Sequence, residues 1–143
     1  MSDYQITNSI VGAQNISVTS TTQNHALGLI VQAVDRASTA YGAGEFVYLQ
    51  GVASTVLGSF VTYNADDNST ALLAANAIGP VATAMSINVA SSYGWYQISG
   101  KAVGKAKASY ADNGLVFATS TAGSIDDAVV AGDRVKLALG ASA

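Results

Sequence analysis

The side chains that could do chemistry are few, and their spacing does not assemble a catalytic set. The only histidine is His25, and a Ser-His-Asp triad would need it, with Asp35 or Asp66 holding the imidazole. The Gly-x-Ser-x-Gly turn that carries a hydrolase nucleophile does not occur. One histidine and no cysteine exclude a multi-ligand His/Cys metal site. We therefore expect a surface or junction histidine, no enzymatic activity and no cofactor.

Two carboxylate pairs, Asp66-Asp67 and Asp126-Asp127, are the next candidates. Adjacent side chains of a strand point to opposite faces, so neither pair converges on one proton. The stretch 66–69 lacks the alternating ligands and closing Glu of a calcium-binding EF-hand loop. Solvated turns are the favoured interpretation, with a weak cation site at the first pair as the alternative.

Three lysines, Lys101, Lys105 and Lys107, provide half of the six cationic side chains. In a strand over 101–109 they would share one face, and small residues would occupy the other. Such a strand is either a sheet edge that lysines protect from aggregation or a contact surface for a partner. Both interpretations stay open at this point.

The aromatic stretch 93–96 holds the only tryptophan, Trp95, beside Tyr96. A stacking platform for a sugar or a single-stranded nucleic acid would need both rings on one face. Neighbouring strand residues face opposite ways, so these rings are expected to pack in the core or at a subunit interface.

Composition narrows the class of protein. Only 10% of the 143 residues are charged, against about 25% in ordinary domains. This low charge favours a protein that is part of a larger assembly. A net charge of −3 argues against a general nucleic-acid binder. Neither a membrane-spanning apolar run nor a signal peptide is recognisable, so we expect a soluble protein made and used without secretion.

Residues 1–25 form a polar tract with isolated aliphatic residues. Within it, Ile16-Ser17-Val18-Thr19 alternates as a strand does. The tract is interpreted either as an extended N-terminal arm that pairs with a partner's sheet edge or as a frayed terminus. The arm interpretation predicts that it is mobile in the free protein.

Residues 26–143 are predicted to form a single all-β domain. Short apolar or alternating runs separated by Gly, Asn and Asp turns are typical of a small β-barrel or β-sandwich. The predicted strands lie within 29–34, 45–50, 59–63, 80–85, 94–99, 101–109, 115–119 and 134–139. The stretch 70–76 reads as a short helix or a further strand.

Four short sequence segments carry a resemblance to a known family. They are Gly44–Leu49, Tyr93–Gly100, Thr121–Asp127 and Gly132–Val135. In this order, within Leu29–Leu139, they resemble small tailed-bacteriophage capsid decoration (cement) proteins. The resemblance implies a structural virion protein that binds and stabilises the outer capsid surface, with the major capsid protein as partner.

The same resemblance implies a homotrimer on the virion, made in the host cytoplasm. Charge and composition predict that neither nucleic acid nor a membrane is a partner. The alternative is another virion binding module, such as a head-fibre base, a tail component or a carbohydrate-binding domain. The expected capsid or subunit contacts are Ile16, Ser17, Val18, Thr19, Trp95, Tyr96, Lys101, Lys105 and Lys107.

Overall fold

The computed structural model describes residues 3–8 and 10–140, and this part of the chain is all-β without helices. The predicted fold class is therefore confirmed. The ten strands are β1 (Tyr4–Ile6), β2 (Ile30–Asp35), β3 (Ala43–Gln50), β4 (Phe60–Tyr63), β5 (Thr70–Leu72), β6 (Val81–Ala84), β7 (Tyr93–Ser99), β8 (Leu115–Ala118), β9 (Ile125–Asp126) and β10 (Arg134–Leu139).

Seven strands form one antiparallel sheet in the order β1-β2-β3-β7-β6-β4-β5. This sheet curls, as shown by the Thr70 hydroxyl at the β5 edge, which donates to the Gln50 carbonyl at the end of β3, at 2.7 Å. A sheet edge returns in this way towards a central strand. The curl creates an inner face and an outer face, and both must be covered.

The central pair β3 and β7 supplies both faces with large side chains. Tyr48 pairs with Trp95 across the strands and Val47 with Tyr96, so successive pairs point to opposite sides. Trp95 belongs to one buried cluster and Tyr96 to another. Full burial of one such apolar side chain contributes about 1.5–3 kcal/mol. Of the two predicted locations for these rings, the core and a subunit interface, the structure shows the core.

The N-terminal residues cover the outer face, which corrects the expectation of an extended arm. β1 pairs with β2 in register Tyr4 to Asp35, and Ile16 is buried in the same cluster as Trp95. The described residues of 1–25 are thus part of the domain rather than a separate segment. The physical reason is that an outer sheet face bearing Tyr48 and Trp95 needs an apolar cover.

The strand expected at Ile16–Thr19 is wrong. Residues 16 and 17 lie in a turn, in which the Asn15 carboxamide oxygen accepts from the Ser17 N–H and from its hydroxyl, each at 2.9 Å. Such side-chain turns compete with strand pairing. Pairing resumes only at Ser20, which forms an isolated bridge with Tyr93.

The remaining strands form a small sheet in the order β10-β8-β9. Its cluster of Leu73, Val116 and Ile125 packs with Phe60 of the large sheet. A main-chain link supports this contact, since the Phe60 N–H donates to the Gly123 carbonyl at 3.0 Å. The two sheets therefore share one core at the β4 side of the molecule.

The strand expected at Lys101–Ser109 is also wrong. This segment makes a single bridge, in which Ala106 pairs in parallel with Ile125. Its main chain is shared between the two sheets, because the Lys105 N–H donates to the Gly58 carbonyl and the Lys107 N–H to the Ile125 carbonyl. A segment that crosses between sheets cannot keep one alternating register. The prediction that the three lysines share one strand face therefore has no strand to support it.

The buried Tyr96 hydroxyl makes stability depend on alkaline pH. Burial raises the pKa of Tyr96 to about 12, although hydrogen bonds with Asn88 and Thr55 act in the opposite direction. An unfolded tyrosine ionises near pH 10. The contribution is therefore complete below about pH 10 and is lost as the pH rises through about 12, by about 3 kcal/mol in all.

We expect Tyr96→Phe to flatten this alkaline decline. Urea denaturation of both proteins at intervals between about pH 8 and pH 12 measures the free energy of unfolding directly. Equal slopes for the variant and the parent would contradict the assignment of the decline to Tyr96.

Candidate docking groove

An open groove of about 420 Å³ lies on the outer side of the large sheet, between the N-terminal segment and three loops. We call it the docking groove. Its apolar lining residues are Tyr4, Ile16, Tyr41, Leu57, Met85, Ile87 and Val103, and its polar ones are Ser17, Thr19 and Ser86. Most of its lining is therefore hydrocarbon, with hydroxyl groups on the side of the N-terminal segment.

Three large aliphatic side chains of the groove are open to solvent. Leu57 is 49% exposed, Ile87 63% and Val103 44%. They come from three different loops, so the fold itself brings them together. Grouped exposed aliphatic residues in a concave surface are typical of a contact site, whereas single ones are common on any surface.

Gln14 fixes the N-terminal side of the groove. Its side-chain oxygen accepts from the Tyr48 hydroxyl at 2.8 Å, and its main-chain carbonyl accepts from the indole N–H of Trp95 at 2.9 Å. Its side-chain amide donates to the Tyr93 carbonyl at 3.1 Å. Through this one buried side chain the N-terminal segment is joined to β3 and β7, and the groove residues that follow it are held in place.

His25 completes this attachment and does not belong to a catalytic triad. Its Nε2 accepts from the Gln14 N–H at 3.0 Å, which uses the nitrogen that a general base would need. The ring is half-buried and packs against Tyr48 and Trp95, with centroids 5.0 and 5.5 Å away. The histidine of the arm-to-domain junction is thus a packing residue of that junction.

The acidic candidates have local hydrogen-bonding roles. Burial tends to raise the pKa of the Asp35 carboxyl, but hydrogen bonds from Ser38 and the main chain outweigh it and lower the pKa. Hydrogen bonds from Ser69 lower the pKa of Asp67 in its turn. No group of three or more His, Asp or Glu side chains suited to a metal ion occurs within residues 3–8 and 10–140.

The lysine-bearing segment runs along the groove. Val103 lines the groove, and Lys101 and Lys105 flank it in the sequence, both exposed. The Lys101 carbonyl accepts from the Tyr4 hydroxyl at 3.3 Å and from the Gln97 side chain at 3.2 Å. This places the main chain of Lys101 beside Tyr4 in the lining, and the exposed Lys101 side chain starts from this point.

The predicted contact residues divide into two groups. Ile16, Trp95 and Tyr96 are at most 1% exposed, so these three expected contact residues are not accessible to a partner on the surface of one copy. The accessible members are Ser17, Val18, Thr19, Lys101, Lys105 and Lys107.

Sequence reasoning missed Leu57, Ile87 and Val103. Each lies in a loop among mostly small or polar residues, although Val56 directly precedes Leu57, and no sequence period marks them.

No protein-family model, curated protein or solved structure matches the chain. Across the part of the chain that the structure describes, none of the secondary structure is a helix with the length and apolar character needed to cross a membrane.

Proposed function

We propose that this chain is a structural virion protein that decorates a phage capsid and stabilises it by binding the outer surface. The observation that carries the proposal is the docking groove, where exposed Leu57, Ile87 and Val103 lie beside a lysine-bearing segment. The resemblance of four sequence phrases to capsid decoration proteins supplies the class of assembly.

A groove of this kind can hold a partner by hydrophobic contact and by charge. Covering exposed aliphatic surface yields roughly 25 cal/mol per Å², and bordering lysines select partners with acidic side chains. His25, the candidate catalytic histidine, has a structural role instead, since its Nε2 accepts a main-chain hydrogen bond. The proposed role is therefore attachment, with no catalytic step and no cofactor.

The proposed partners are the major capsid protein and further copies of the chain, with a homotrimer as the proposed assembly. The proposed location is the outer capsid surface, after synthesis in the host cytoplasm. Neither nucleic acid nor a membrane takes part. Placement on a tail or head fibre in electron micrographs of virions would instead support the alternative virion binding module.

Replacing Lys101, Lys105 and Lys107 together by Gln is expected to weaken attachment to capsid shells about tenfold. Exposed ion pairs contribute about 0.2–1 kcal/mol each, and tenfold corresponds to about 1.4 kcal/mol. Co-sedimentation with purified shells at increasing protein concentration measures the affinity. Raised salt should reproduce the effect for the parent protein, because exposed pairs are screened.

Lys136→Gln is the matched control, since Lys136 is exposed but lies on β10, away from the groove. It should bind shells like the parent. Unchanged binding by the triple variant would contradict the contact role of the three lysines, and absence of any shell binding by the parent would contradict the proposed function.

A further inference from the structure

A second exposed surface carries negatively charged side chains, whereas the segment beside the groove carries lysines. Residues 127–133 form a loop after β9, here called the acidic loop. It begins with half-exposed Asp127, and half-exposed Asp126 ends β9 just before it. Val129 and Val130 follow and are 80% and 46% exposed. Two neighbouring aliphatic side chains stand out to solvent beside carboxylates, on a protein with few charges in total.

Both ends of the acidic loop are held within its own chain. The Asp127 carboxylate accepts from the Ala111 N–H at 2.9 Å, and the Asp133 carboxylate accepts from the Asn76 N–H at 2.6 Å. The aliphatic centre is nevertheless left uncovered. A loop anchored at both ends loses little conformational entropy when its exposed centre meets a partner.

The docking groove offers the complementary surface. It presents Leu57, Ile87 and Val103 for aliphatic contact, and exposed Lys101 and Lys105 flank Val103 in the sequence. Within one copy Val129 and Val130 remain exposed and are absent from the groove lining, so the chain does not fill its own groove. The missing occupant has aliphatic side chains next to carboxylates, and the acidic loop has both.

We propose that the acidic loop of one copy docks in the groove of a second copy. The contact is heterologous, because two different surfaces meet, and repeating it around an axis closes a ring. This inference rests on the proposed function and deepens it, since it assigns the groove to one of the two proposed partners, a further copy of the chain. It is tested on the purified protein alone, so its failure leaves capsid binding to be judged separately.

The test uses one variant for each surface. Val129→Asp disables the loop and leaves the groove intact, while Ile87→Asp disables the groove and leaves the loop intact. Both positions are highly exposed, so the fold should survive, which circular dichroism verifies. Val11→Asp is the matched control, since Val11 is fully exposed and lies outside both surfaces.

Sedimentation at about 100 µM protein, a concentration suited to a weak contact of a few side chains, gives the expected masses. The parent and Val11→Asp should form oligomers, and each disabled variant alone should be a monomer. A mixture of the two disabled variants should form a one-to-one complex, because one intact loop and one intact groove remain.

Three results would overturn the inference: a monomeric parent, oligomers formed by either disabled variant alone, or no complex in the mixture. A monomeric parent that still binds capsid shells would reject this inference while keeping the proposed function. An oligomeric parent that fails to bind shells would support this inference and reject the proposed function.

Discussion

Deleting residues 2–20 is expected to unfold the domain rather than to release a dispensable arm. The deletion removes β1 from the edge of the large sheet and Ile16 from its buried cluster. It also removes Gln14, which accepts hydrogen bonds from Tyr48 and Trp95. Circular dichroism during heating measures the unfolding transition. The fluorescence emission of the single tryptophan reports whether its surroundings have changed.

The expected size of this effect follows from the groups that lose their partners. Ile16 alone accounts for about 1.5–3 kcal/mol of burial, and each buried polar group left unpaired costs about 1–3 kcal/mol. A domain of this size is stable by only about 5–15 kcal/mol. The sum of losses therefore approaches the whole stability.

Point variants separate the contributions of this segment. Ile16→Ala should destabilise the domain by about 2–5 kcal/mol, because it opens a cavity between the N-terminal segment and the large sheet. Val11→Ser is the control and should change little, since Val11 is fully exposed. A truncated protein that melts at the parent's temperature, with Trp95 emission unchanged, would show that the segment is not needed for folding.

Gly51→Ala is expected to destabilise the domain by about 3 kcal/mol, because the position has no room for a side chain. A Cβ there would overlap the main-chain carbonyl oxygens of Asn88 and Val89. Those atoms cannot move freely, since the Gly51 N–H donates to Ser92 at 2.7 Å and the Val52 N–H to Asn88 at 3.1 Å. Chemical denaturation of the variant and the parent measures the difference.

This substitution should also disturb the docking groove. Ile87 immediately precedes the loop residues that the new methyl group would displace. Gly12→Ala is the matched control, because its Cβ meets nothing within 4 Å, only its positive φ of 70° is unfavourable, and neither it nor its chain neighbours line the groove. It should cost about 1–2 kcal/mol and leave the groove unchanged. Equal costs at both positions would contradict the close packing at Gly51.

Strand positions were largely readable from the sequence, because the central strands carry dense aromatic and β-branched residues. Phe46 to Leu49 and Trp95 to Ile98 are bounded by glycine or polar turns, and the strands lie there. β1 and β9 were missed, since runs of three and two residues are too short to show a period. Their pairing depends on neighbours that only the tertiary fold supplies.

The groove was beyond a sequence argument for a related reason. Leu57, Ile87 and Val103 are widely separated in the chain and occupy no periodic element, so no local pattern joins them. The lysines were noticed because they cluster in sequence, but their predicted strand was replaced by a crossing segment. The role of Gln14 was equally hidden, because a polar residue in a polar tract carries no sign that it will be buried.

The attachment of Gln14 to Trp95 has a consequence for biosynthesis. These two residues are 81 positions apart, so Gln14 leaves the ribosome long before its partner exists. At about 5–20 residues per second the delay is roughly 4–16 seconds. Until then Ile16 lacks Trp95, a member of the cluster in which it becomes buried, although β1 can already pair with β2. Folding of this domain is thus tied to the arrival of β7, and the nascent chain is exposed to aggregation during that interval.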